Sequence, residues 1–188
     1  METKLFATLA FVLLLGIVGC TGPADNQTRA NIGEQVATTD TEGLQRVNLN
    51  TDEATFNFTG YGPGKSHEGT FNDWDATLLY EEDQLVGAEV TVDVASLDTG
   101  IGGLDNHLRG EDFFNTDQYT EATFTTTSIK DGQATGTATI TGITRTLEFP
   151  LNITENRVAT EFVIDLTAFN ISHPATNDEV LIEFNTET

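Results

Sequence analysis

From Leu44 onward the apolar residues of this chain fall at every second position, and that period restricts the fold more than any other feature of the sequence. Val90-Thr91-Val92-Asp93-Val94 is the plainest run, and residues 55–59, 76–80, 138–140, 147–153, 162–166 and 180–184 repeat it. Side chains of a strand alternate between its faces, so these runs predict strands with one buried and one wet face. Glu81-Glu82-Asp83-Gln84 and Lys130-Asp131-Gly132-Gln133 have the composition of hairpin turns. Helical signal is confined to residues 102–114. There Leu104, Leu108 and Phe113 share a face, Asp105 stands at i,i+4 from Arg109, Asp98 or Thr99 caps the start, and Gly110 suits a left-handed residue past the end. So many antiparallel strands must pack as a sandwich or close into a barrel, and alternation alone does not choose between them.

By parity the inward positions are Phe56, Phe58, Phe71, Trp74, Leu78, Tyr80, Val90, Val92, Val94, Phe124, Ile140, Leu147, Phe149, Phe162, Ile164, Ile182 and Phe184. Such residues fill the core of a sandwich, whereas in a small barrel they fill the interior or line a ligand cavity.

Residues 5–18 are apolar apart from Thr8, follow Lys4 and end at Gly19-Cys20. The run is shorter than the ~20 apolar residues of a spanning helix and has the build of a secretory signal, assigned to residues 1–19. Ile17-Val18-Gly19-Cys20 resembles the lipobox at which lipoproteins are cleaved and acylated, and Cys20 is the single cysteine of the chain. Acylated Cys20 is therefore the expected membrane anchor, and the protein an exported one of the cell envelope, periplasmic or extracellular. Residues 20–43 are rich in Thr, Asn, Asp, Gln and Gly, which predicts a flexible polar tether, with the folded domain at 44–188.

Charge narrows the function. The 188 residues carry 8 Lys plus Arg against 30 Asp plus Glu, a formal net charge of -22, which repels a phosphate backbone and excludes nucleic acid as partner. The same excess of carboxylates keeps a protein dispersed, or adapts it to high salt, where their repulsion is screened.

No catalytic motif emerges. Asp105, His107 and Arg109 form the densest polar cluster, and their spacing on one helical turn favours ordering of a long connection over acid–base chemistry; Arg109 and His107 remain candidates for contact with an anionic ligand head. His67, His107 and His173 have no metal-ligand spacing, so no metal is expected. Gly64-Lys65-Ser66 imitates the end of a phosphate loop, but Thr59 stands where its first glycine belongs, and the segment reads as a turn. The chain is read as a non-enzyme that needs no cofactor.

The run Val92-Asp93-Val94-Ala95-Ser96-Leu97-Asp98-Thr99-Gly100, followed by Asp105-Asn106-His107-Leu108-Arg109-Gly110-Glu111-Asp112-Phe113-Phe114 and residues 119–124, resembles the signature of the YceI-like family. Gly69-Thr70-Phe71 leading into Trp74, and residues 135–145 leading into Phe149-Pro150, extend the resemblance across 44–188. The family comprises exported lipid- or polyisoprenoid-binding proteins. The resemblance implies an extended, lipocalin-like antiparallel barrel with one short helical connection, its apolar tunnel holding an isoprenoid or similar chain. Leu166 and Asn170 stand where the family tends to show an arginine and a glycine, so one cation expected at the polar end of a ligand is missing, while Asn tolerates the left-handed conformation. The function expected is that of a membrane-anchored carrier of a polyisoprenoid, isoprenoid quinone or fatty-acyl amphiphile. The alternative is a surface or adhesion lipoprotein with a filled β-sandwich core.

Overall fold

The structure is a computed structural model that describes Ala24 and residues 26–35, 41–155, 157–174 and 176–187. The expected signal peptide (residues 1–19) and Cys20 lie outside the described residues, as do residues 21–23, 25 and 36–40 of the expected tether. Along the chain come β1 (Asn31–Gly33), β2 (Gln45–Asn48), β3 (Ala54–Gly62), β4 (Lys65–Phe71), β5 (Trp74–Glu81), β6 (Gln84–Asp93) and β7 (Leu97–Asp98). The α-helix α1 (Gly102–Arg109) follows, then β8 (Glu121–Lys130), β9 (Gln133–Ile140), β10 (Ile143–Pro150), β11 (Asn152–Thr154), β12 (Arg157–Asp165) and β13 (Glu179–Glu187). The strands form two antiparallel sheets, one of seven in the order β1-β10-β9-β8-β6-β5-β2 and one of six in the order β11-β12-β13-β3-β4-β7. This is the mostly β, antiparallel architecture that the alternation predicts and the barrel-like one that the YceI-like resemblance implies, with one departure: the sheets face each other without closing into one continuous ladder.

The two polar tetrads are tight hairpin turns. Glu82 and Asp83 (φ 47° and 67°) and Asp131 and Gly132 (φ 52° and 74°) each supply the pair of left-handed residues that matches the twist of the flanking strands. A third such pair, Thr141 and Gly142 (φ 48° and 73°), joins β9 to β10. A β-branched residue is strained at positive φ, and the Thr141 hydroxyl offsets this by donating to the Phe169 carbonyl at 2.6 Å, which ties the turn to the 3-10 turn at Leu166–Phe169 on the other sheet.

The helix ends sooner than its apolar pattern suggests. It stops at Arg109, and Gly110 is extended (φ -69°, ψ 171°) rather than left-handed. The left-handed residue of this connection is Asn115 (φ 47°), whose N–H bonds the Gly110 carbonyl as the chain folds back through successive turns. The start carries no side-chain cap; Asp98 accepts from the Gly100 N–H instead.

The folded part also begins before residue 44. Residues 31–33, placed in the tether on composition, are strand β1 and pair with Thr146–Glu148 of β10. Just ahead of them Ala30 donates to the Val163 carbonyl and Val163 donates to the Thr28 carbonyl, both at 2.8 Å. Residues 28–33 thus run from the edge of β12 in one sheet to the edge of β10 in the other, covering two edges at the seam.

Candidate functional site

Inward side chains of both sheets enclose a cavity of about 440 Å³. That lies within the range of small-molecule sites. Fifteen of the seventeen positions assigned inward by parity line it: Phe56, Phe58, Phe71, Leu78, Val90, Val92, Val94, Phe124, Ile140, Leu147, Phe149, Phe162, Ile164, Ile182 and Phe184. Two do not. Trp74 is buried behind the wall, its ring edge-on to Phe56 and to Phe184 at 5.7 Å each, and closes one end of the aromatic cluster. Tyr80 follows a register shift between Leu79 and Tyr80, where the simple alternation breaks, and is only half-buried.

Aromatic rings dominate the wall because two glycines make room for them. A methyl group at position 69 would stand 2.3 Å from Phe58 Cζ, and one at position 136 would stand 2.3 Å from Phe124 Cζ. Each ring occupies the space that a side chain on the neighbouring strand would take, a pairing that pins register as well as filling space. Phe149 and Phe162, from opposite sheets, stack with centroids 4.3 Å apart.

The helical connection divides its polar residues between scaffold and cavity. Asp105 accepts from the Thr99 hydroxyl at 2.6 Å and the Thr99 N–H at 2.9 Å. The Thr99 bonds hold the Asp105 carboxyl below the usual range, and the Arg109 charge adds a smaller push the same way. Arg109 does not reach the cavity as a headgroup contact: its guanidinium donates to the carbonyls of Ala95 and Leu97 and braces the segment entering α1. His107 does line the cavity, beside Leu104 and Leu108 of the same helix. Its ring meets that of His173 at 5.3 Å and that of Phe113 at 5.0 Å, which joins α1 to the connection between β12 and β13. His67 also faces the cavity, yet no group of three or more His, Cys, Asp or Glu among the described residues has the geometry to hold a metal ion.

Leu166 and Ile171 also line the cavity; Leu166 ends the alternating run 162–166 but opens the 3-10 turn Leu166–Phe169, and Ile171 lies in the irregular chain after it, where no period exists to be read. Leu166 occupies a place where the resemblance would put an arginine; it is buried, and Asn170 beside it is left-handed (φ 60°), as its side chain permits. The lining contains Lys65 and Asp178 as its charged residues, with one Asp178 carboxylate oxygen buried and without a hydrogen-bond partner. At one end the cavity meets a surface groove of about 670 Å³ lined by residues 61–66, Thr176 and Asn177, five of which (Tyr61, Gly62, Lys65, Thr176 and Asn177) belong to both. This is the mouth. The turn Pro63-Gly64 between β3 and β4, with Gly64 at φ +72°, forms its lip together with Lys65 and Ser66, which are the first residues of β4 rather than part of the turn that the sequence suggests.

Residues 46–188 match the YceI-like domain. The chain belongs to the YceI-like family. Protein YceI of Escherichia coli O157:H7 is 43% identical over 91 residues, 44% of this YceI-like chain and 48% of that one. The alignment spans just under half the length of the curated relatives matched. Among solved structures, Burkholderia cenocepacia BcnA superposes with a TM-score of 0.68 at 24% identity, covering 74% of this chain and 99% of that one. A polyisoprenoid binding domain from Saccharophagus degradans, implicated in plant cell wall breakdown, superposes with a TM-score of 0.60 at 15% identity, covering 76% of this chain and 96% of that one. At these identities the two structures establish the YceI-like fold of the chain.

Proposed function

We propose that the protein is an exported carrier, held at the membrane by acylated Cys20, that shelters a long apolar chain between its two sheets. A polyisoprenoid, an isoprenoid quinone or a fatty-acyl amphiphile has the required shape, and the polyisoprenoid binding domain among the structural neighbours supports the first of these. The observation that carries the proposal is the 440 Å³ cavity walled by aromatic and branched side chains from both sheets. A filled-core surface lipoprotein has no use for it. Burying ~400 Å² of ligand at about 25 cal/mol per Å² contributes ~10 kcal/mol before ordering costs, enough for micromolar or tighter binding. Binding of this kind works by removing apolar area from water; of the polar cluster Asp105, His107 and Arg109, the first and last brace the backbone, and the His107 ring packs against Phe113 and His173 at the cavity wall.

Native mass spectrometry of the protein purified gently from its host, followed by organic extraction, tests the reading. A stoichiometric prenyl or acyl adduct is the expected result. A bare polypeptide mass, together with failure to take up an added polyprenol, overturns it.

A further inference from the structure

The segment that follows the anchor is fixed to the fold beside the mouth. Ala24 is fully buried against Val163 and Leu181, with Tyr61 packed on the same cluster. The Tyr61 hydroxyl lies 3.4 Å from Gln27 Oε1, and residues 28–30 bond to Val163. Tyr61 is also a wall of the cavity and of the groove at its mouth. One side chain therefore touches both Ala24, the first described residue, and the entrance to the cavity.

We propose that the mouth is held against the membrane that carries the anchor, so that ligand passes directly between bilayer and cavity. This inference rests on the proposal that Cys20 is acylated. Four residue steps separate Cys20 from Ala24, and at 3.3–3.6 Å per residue they reach at most about 14 Å. Strand β3 runs away from Tyr61, and Thr55, six residues back at about 3.4 Å each, lies ~20 Å off. The aromatic cluster of Phe56 and Trp74 is on that far side.

Charge chooses the lip over the flank. In a chain of net charge -22, the groove-lining residues include Lys65 and no carboxylate. A tyrosine and a lysine at an edge suit the interface of a bilayer, and an exposed cation is attracted by anionic lipid. Behind Tyr61 the register of β12 and β13 sets Glu161 opposite Glu183, close enough that burial and then their charges push the Tyr61 hydroxyl up. Anionic lipid repels that face, which leaves the lysine-bearing lip as the part that meets the bilayer.

The test uses the full-length acylated protein in vesicles of phosphatidylcholine with one-fifth phosphatidylglycerol. Acylation blocks the native thiol, so Ser66→Cys at the lip and Asp52→Cys at the far end of β3, both at exposed positions, each carry a single fluorophore. Intact mass is read first; absence of an acyl group on Cys20 overturns the anchor and this orientation with it. In acylated protein, lipid with a headgroup quencher is expected to quench the residue-66 probe at least threefold more than the residue-52 probe. Equal or reversed quenching overturns the orientation and leaves the anchor standing. Inserting about twenty Gly/Ser residues after Cys20, an r.m.s. reach of ~25 Å, is expected to abolish that difference. It is also expected to slow uptake of a fluorescent polyprenol from the vesicles severalfold. Uptake at an unchanged rate indicates a soluble route, such as docking of a second protein at the mouth, and overturns direct passage.

Discussion

At positions 69 and 136 the absence of a side chain is what shapes the wall. Gly69→Ala drives a methyl group into the Phe58 ring, and the ring must swing into the cavity or the strands must part. Overpacking of this kind costs about 1–3 kcal/mol, to be read as a lower denaturation midpoint with less ligand retained. Charge pairs act with opposite sign. Burial, with the Glu161 and Glu68 carboxylates nearby, pushes the Glu183 carboxyl up. Because its folded pKa lies above the unfolded one, Glu183 favours the fold while protonated, and that contribution is lost as pH rises through the folded value. Glu183→Gln should therefore stabilise the protein at pH 7 and low salt by about 0.5 kcal/mol, the scale of a cross-strand pair, and make no difference at pH 3; paired thermal melts check it. For Asp105 the shift is downward. Its contribution is present above the ordinary carboxyl range and lost as pH falls through the folded value, so Asp105→Asn should flatten the acid limb of the stability profile.

Elements formed by strict alternation were legible from the sequence, and elements formed by pairing at an edge were not. Strands β6 and β12 declare themselves through Val90 and Val92 and through Phe162 and Ile164, whose period of two also places them on the cavity wall. The hairpins at Glu82-Asp83 and Asp131-Gly132 were equally plain, since left-handed turn positions select a short list of residues. Strand β1 has three residues and no period, and its place is set by the free edges of β10 and β12, which exist only once the sheets have formed. Trp74 failed for a related reason: parity tells which face a side chain takes, not whether Phe56 and Phe184 stand in front of it. Arg109 failed because its partners are backbone carbonyls, which leave no mark in a sequence. Ile32 packs half-buried against the main core cluster, opposite Leu147. If residues 31–33 serve as an element of the fold, Ile32→Ala should lower stability by about 1–2 kcal/mol, below the 2–5 kcal/mol typical of full burial; a denaturation midpoint equal to that of the unaltered protein would show the strand to be dispensable.

On the scale of the molecule, the apolar cavity and the acidic exterior make separate demands. Val92 is buried in the wall near the aromatic cluster of Phe56 and Trp74. A carboxylate there has no partner, so Val92→Glu should abolish uptake of a prenyl or acyl probe or unfold the protein; circular dichroism tells the two apart, and retained uptake with a native spectrum would remove Val92 from the wall. Outside, the net charge of -22 repels itself through water. Raising NaCl from 0.1 M to 2 M shortens the Debye length from ~10 Å to below 3 Å, and a chain adapted to high salt should melt at a markedly higher temperature there, whereas a flat response would assign the acidity to dispersal alone. The first strand adds a mechanical consequence. Residues 28–33 leave Val163 on one sheet and reach β10 on the other. Were residue 20 lipid-held, as proposed above, tension arriving along the chain would fall on the stitch between the two sheets before it fell on any hairpin, so a tug at the leash would be felt first as a strain on the hinge line of the container.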